Sequence, residues 1–462
     1  MLTFFDHGRG LGRREFLRLG AWSLAGLPWA ARSAAAAAPS SAVRDRSVVL
    51  LFLHGGPSQI ETFDPKGEAP SGIRSVTGEI ATSIPGVTFG GSFPRLARLA
   101  DRLAIVRSFV PGDANHDIKP VVHRETLGAN LGSIYARVAG VNNAVTGLPT
   151  NALLFPQAVD PETQPGEMSF GRFGASGPFG AAYAPFEPGA AGTLQEDLKL
   201  KLPRDRLDDR RRLLSQLDAL RRRAAASDAL TAVDRLQGQA FEVILRGVGT
   251  AFDLNQEDPR TVARYDTAPL VRPENISRHW NNHRNYADNA RSLGKLLLLA
   301  RRLCESGCGF VTVTTNFVWD MHADVNNAPM GEGMSYMGPP LDHAVSAFLE
   351  DVAARGLSDK ILLVVCGEMG RTPKLNAQGG RDHWGNLGPL LLAGGGLPMG
   401  QIIGRSSRDG GEPAGDPVSL GNLIATIMHT LFDPSVLRLQ DNVPRDIVRL
   451  VSEGTPIRQL VG

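Results

Sequence analysis

Only three of the chain's 462 residues are cysteine, too few for a disulfide framework, so packing must hold the core together. Cys304 and Cys308 stand at the end of a helical stretch and Cys366 in an apolar run, which makes each a small buried hydrophobe. Aromatic residues are scarce at 6%, and the formal net charge is only +2. With no basic stripe interleaved with aromatics, nucleic acid is a poor candidate and is not expected as a partner. The arginines between Arg204 and Arg223 are interspersed with Asp205, Asp208, Asp209 and Asp218, the spacing of a solvated helix face. Two motif classes are also missing. Gly55-Gly56-Pro57-Ser58 lacks the Gly-Lys-Ser/Thr ending of a phosphate-cradling loop, and no Gly-x-Ser-x-Gly elbow surrounds Ser58. An esterase built on Ser58 is therefore the least favoured reading.

The N-terminus has the layout of an export signal. Arg13-Arg14-Glu15-Phe16-Leu17 precedes a moderately apolar stretch from Leu19 to Ala31, and small residues follow from Ala34 to Ala38. A paired arginine ahead of a short apolar run marks the twin-arginine route. The run is well short of the roughly 20 residues that cross a bilayer, so no stable membrane span is expected after signal removal. Residues 1–38 are expected to be the signal peptide, and the mature chain periplasmic or extracellular. Its length suits one large α/β domain over residues 39–462.

The mature chain opens with Ser47-Val48-Val49-Leu50-Leu51-Phe52-Leu53, which ends sharply at His54-Gly55-Gly56. A continuous apolar and β-branched run bounded by glycine predicts a buried parallel strand. The pattern returns in Arg102 to Phe109, Gly309 to Thr315, Lys360 to Cys366 and Pro389 to Ala393. Helical periodicity lies between several of these, at Ala287 to Glu305, Pro340 to Arg355 and Leu420 to Leu431. The alternation predicts an α/β fold with a mostly parallel central sheet and helices on both faces. Residues 151–247 break the pattern: a Gly-, Pro- and Phe-rich stretch, then a charged helical one. They are expected to be an insertion, a loop-rich cap followed by a helical hairpin.

In such sheets ligands bind beyond the carboxyl ends of the strands, and the loops there carry the acids and imidazoles. Trp319-Asp320-Met321-His322 follows one strand, Gly367-Glu368-Met369-Gly370-Arg371 the next, and Gly380-Arg381-Asp382-His383-Trp384 comes shortly after. Carboxylates and neutral imidazoles suit a divalent ion such as zinc, manganese, calcium or magnesium. Asp320, His322, Glu368, Asp382 and His383 are thus the candidate ligands, with Arg371 and Arg381 expected to face an anionic substrate. His116, in Asn115-His116-Asp117, is a further ligand or substrate contact, whereas His123 reads as a helix flank. Ser58 is the best-placed hydroxyl for a nucleophile, although a turn is the commoner use of a serine there.

Four of these stretches, with Leu53-His54-Gly55-Gly56-Pro57-Ser58-Gln59-Ile60-Glu61-Thr62-Phe63-Asp64-Pro65-Lys66 as the first, resemble the family of domain of unknown function 1501 over nearly the whole mature chain. That family is in turn similar to the alkaline phosphatase and sulfatase superfamily. The resemblance implies an alkaline-phosphatase-like fold and an exported, metal-dependent hydrolase of phosphate or sulfate esters, those of a polysaccharide included. It also implies that Asp320 and His322 form a ligand pair, Glu368 replaces the acid of a late strand, and His383 is the final histidine ligand. Three departures stand out: His54 occupies the place of a superfamily aspartate, Met369 follows Glu368 where a histidine is usual, and no Cys/Ser-x-Pro-x-Arg nucleophile motif occurs. The alternative they leave open is a catalytically degenerate member that binds or assembles at the cell surface.

Overall fold

The computed structural model describes residues 4–6, 9–11, 42–189 and 249–461. The expected signal peptide and the expected helical hairpin after residue 193 lie almost wholly outside them. Seven strands form the central sheet: β1 (Ser47–Phe52), β2 (Ala104–Val106), β3 (Asn151–Leu154), β4 (Phe310–Thr314), β5 (Ile361–Cys366), β6 (Leu390–Gly394) and β7 (Gln401–Ile403). Their spatial order is β7-β2-β6-β5-β1-β4-β3. Every neighbouring pair is parallel except those made by β6, which runs antiparallel to both β5 and β2.

The expected parallel architecture thus holds for six strands. The exception has a plain cause. Parallel neighbours need a crossover, usually a helix, yet residues 367–389 between β5 and β6 contain no helix. They leave β5 at Cys366 and return opposite it at Leu390, so the chain can only come back antiparallel. This excursion carries Glu368, Arg371, Arg381, Asp382 and His383.

Side chains alternate faces along each strand. Val49 and Leu51 of β1, with Leu363 and Val365 of β5, enter a core shared with α2 (His283–Glu305) and α3 (Met330–Ala354). Val48, Leu50 and Phe52, with Leu362 and Val364, enter a second core covered by α1 (Leu131–Ala139), α4 (Leu420–Leu431) and α5 (Arg445–Glu453). Helices therefore cover both faces, as expected. α3 begins ten residues before the expected Pro340, because Pro339 and Pro340 lie inside it and buried Met330, Met334 and Met337 anchor the turns ahead of them. The three cysteines are free and buried. No helix among the described residues is long and apolar enough to cross a membrane.

Two strands escaped the sequence pattern. β7 is only three residues long, and β3 opens the segment expected to be inserted. The excursion from the sheet therefore starts after Leu154, not at Asn151. The four residues of β3 are too short for periodicity to mark, and they are fixed by pairing with β4.

Candidate metal centre

Because β1, β2, β4 and β5 all point the same way, their following loops meet at one edge. The β1 loop needs glycine there. At Gly55, with φ of +112°, a Cβ would stand 2.6 Å from the amide nitrogen of Asp320, so the first and fourth loops interlock only without a side chain. The Gly55 N–H donates to both carboxylate oxygens of Glu368, at 3.0 and 3.2 Å. A two-residue ladder pairs Arg371 with His383 and turns the histidine back over the strand ends.

Three atoms converge at this edge: His116 Nε2, Asp320 Oδ1 and His383 Nε2, all within 4.8 Å of one another. His116 Nε2 lies 2.9 Å from His383 Nε2 and 3.3 Å from Asp320 Oδ1, and His383 Nε2 is 3.1 Å from that same oxygen. The other ring nitrogen of His116, Nδ1, is 3.0 Å from Glu368 Oε1. A carboxylate on Nδ1 leaves Nε2 to face the cluster, which is how a metal-binding imidazole is usually held. His322 Nε2 and the Asn327 amide meet the far oxygen of Asp320, Oδ2, at 3.0 and 3.1 Å. Exposure rises from Asp320 at 4% through His116 at 12% to His322 at 25% and His383 at 34%, so the centre opens on the His322 and His383 side.

The electrostatics follow from this crowding. Burial opposes a charge on Asp320, yet hydrogen bonds from His116, His322 and His383 and the Arg371 guanidinium outweigh it and hold the carboxyl well below its usual range. Burial likewise opposes a charge on His116, but its bonds to Asp320 and Glu368 prevail and raise the imidazole. The bond to Asp320 raises His322. Two imidazole nitrogens and a carboxylate oxygen converging on one point fit a divalent cation such as zinc or manganese.

Of the residues expected in the site, the structure brings Asp320 and His383 together with His116, which acts here as a candidate ligand. His322 stands one bond away, on Asp320. Glu368 is not among the converging donors: fully buried behind His116, it is occupied by that ring and by Gly55. Asp382 is corrected more sharply, since it lies just before the short strand that carries His383, is exposed, and accepts from the Asn376 amide at 3.0 Å.

Arg371 and Arg381 do not face a substrate. Both are fully buried. Arg371 donates to Asp320 Oδ1 at 2.6 Å, to the Gly56 carbonyl at 2.7 Å and to the carbonyl of Gly55. Arg381 pairs with buried Glu61 at 2.8 and 3.0 Å and donates to the carbonyls of Ile73 and Pro373. A guanidinium taken out of water requires such complete pairing, and each arginine ties the first loop to the late ones. Ser58 is likewise a turn former: it is 3% exposed, and its hydroxyl oxygen accepts from the amides of Ile60 and Glu61 at 3.2 and 3.3 Å. His123 caps a short turn through Nδ1, as expected of a helix flank. Asn327 and the Gly55 amide are the contributors that the sequence pattern missed. Glu61 stood in the first motif, but nothing in its spacing named Arg381 as its partner.

A mostly parallel α/β sheet with an Asp–His–His cluster at its carboxyl edge defines the class. The chain belongs to the family described as protein of unknown function (DUF1501), whose model matches residues 45–460. No curated protein sequence matches it. Among solved structures, the PsFucS1 sulfatase from Pseudoalteromonas sp. is similar at 12% identity and a TM-score of 0.37, over 90% of this chain and 74% of that one. The phosphonate monoester hydrolase SpPMH from Silicibacter pomeroyi is similar at 11% identity and a TM-score of 0.32, over 89% and 76%. A lipooligosaccharide phosphoethanolamine transferase from Neisseria meningitidis is similar at 9% identity and a TM-score of 0.32, over 91% and 60%. Scores at this level carry no weight about activity.

Proposed function

We propose that the chain is an exported, metal-dependent hydrolase of phosphate or sulfate esters, acting on a soluble or polysaccharide-borne ester. The convergence of His116 Nε2, Asp320 Oδ1 and His383 Nε2 within 4.8 Å carries this reading. The motif resemblance supports it, and so does the paired arginine near the N-terminus for the location. His116, Asp320 and His383 would hold the ion, with Glu368 orienting His116 and His322 beside the open mouth. A divalent cation bound there would supply a Lewis acid for the ester oxygen. Arg371 keeps Asp320 ionised and Glu368 keeps Nε2 of His116 turned inward, so the donors are set before any ligand arrives. With Ser58 committed to its turn, water is the proposed attacking oxygen.

Metal content and turnover test the proposal together. Zinc, manganese, calcium and magnesium are measured in the purified mature chain, and aryl phosphates and aryl sulfates are assayed beside His383→Ala and Asp320→Ala. The expected result is a stoichiometric metal and an ester hydrolysis that both variants lose. A metal-free wild type whose ligand binding is untouched by either substitution would defeat it. The second reading, a binding protein on the same scaffold, draws on the absence of a free serine at the first loop; it predicts bound metal without turnover.

A further inference from the structure

One wall of the centre is aromatic, and the proposed reaction does not use it. Phe317 lies on the β4 loop three residues before Asp320. Phe170 comes from the loop-rich segment and stacks on it, with ring centroids 4.4 Å apart and planes at 21°. Both rings meet His116, at 5.1 and 4.8 Å. The loop carrying Phe170 is fastened to the site: the buried Asn316 amide donates to the carbonyls of Gln164 and Pro165 at 3.2 and 3.1 Å, and Asp288 accepts the Gln164 N–H at 2.7 Å. His54 stands edge-on to Phe170, Phe173 and Phe317 at 5.0 to 5.5 Å and packs the wall from below. Its Nε2 has no hydrogen-bond partner among the described residues. Phe170 remains half-buried, and Met168, two residues earlier, is 40% exposed at the rim.

A flat apolar surface held beside a polar centre is what a ring needs for stacking. We propose that Phe170, seated on Phe317, receives the ring of the ester's alcohol half, so that the enzyme selects ring-bearing over small alkyl esters. The inference rests on the hydrolase reading for the ester, while the stacking surface is read from binding affinity and does not depend on hydrolysis. An aromatic ring and the C–H face of a sugar offer the same chemistry, and the probes separate them.

Calorimetry on the metal-loaded mature chain compares the methyl, phenyl and glucose 6-esters of sulfate and phosphate. The variants are Phe170→Ala and Phe170→Leu, the second keeping apolar bulk without a flat face, and metal content is measured in each. The wild type is expected to bind at least one ring-bearing ester more tightly than the methyl ester. Both variants are expected to weaken that ester about tenfold and leave methyl ester binding and metal content within twofold. Equal weakening of all esters, an unaffected ring-bearing ester, or a wild type that binds ring-bearing esters no better than methyl ones would overturn the proposal. Ring-selective binding without hydrolysis of any ester would keep the stacking surface and remove the hydrolase reading.

Discussion

Two clusters of charge lie in this molecule, and they are built on opposite rules. Between α2, α3 and the loop at Glu257, donors meet acceptors throughout. Arg301 donates to Glu257 at 2.5 Å and to Glu305 at 2.7 Å, Arg302 to Glu257 at 2.9 Å, and Arg355 to Glu257, Asp351 and Glu305 at 2.9 to 3.1 Å. Three guanidinium groups face three carboxylates. At the sheet edge, by contrast, two imidazole nitrogens and a carboxylate oxygen crowd one point from three loops, and a single guanidinium, Arg371, shares itself between that oxygen and backbone carbonyls. The first arrangement is complete without any addition. The second brings electron pairs together and calls for a cation, which is why only the second reads as a site.

Substitutions can break that contrast. The largest effect is expected for Asp320→Ala: metal affinity falls by more than about a hundredfold, and the fold loses about 3 kcal/mol because Arg371 is left as an unpaired buried charge. Metal titration and urea unfolding measure the two losses separately. Glu368→Gln is expected to weaken metal binding about 10- to 100-fold by freeing the His116 ring, which the same titration reads. Glu257→Gln should do the reverse, costing about 2 kcal/mol of stability with metal affinity unchanged. Burial works against the Glu257 charge, but the arginines outweigh it and pull its carboxyl from 4.5 down to about 2. A lowered carboxylate stabilises above its unfolded pKa and loses that contribution as pH falls through the folded one. The difference between wild type and Glu257→Gln should thus be full above pH 4.5 and shrink toward pH 2, as urea unfolding across that range would record. Ser58→Ala is expected to cost about 1 kcal/mol through its turn and to lower any turnover by less than about tenfold; a total loss of activity in a folded variant would restore the serine as nucleophile. The smallest effect, a change within twofold, is expected for Asp382→Asn in metal titration.

Much of this was legible in advance. Apolar runs bounded by glycine located β1, β4 and β5, and the segments that follow β4 and β5 included Asp320 and His383. His116 was visible as a histidine after β2, but its loop is long, and no spacing says that Glu368 will grip its Nδ1. The arginines misled for a physical reason. A guanidinium beside acids in sequence looks like an anion receptor, whereas burial at 0% turns it inward to carbonyls and carboxylates. Asp382 misled because it adjoins His383 in sequence, yet it is exposed and its carboxylate is taken up by the Asn376 amide. The expected helical hairpin and almost all of the expected signal peptide lie outside the described residues.

The amino-acid order alone determined that parallel strands would carry acids and histidines past their ends, because buried strands must be apolar and their loops must turn on glycine. Tertiary structure decided which of those groups converge. The missing helix between β5 and β6 makes the chain double back, and that return sets His383 against Asp320 and His116. Such distances belong to the packed sheet edge and have no counterpart in local sequence.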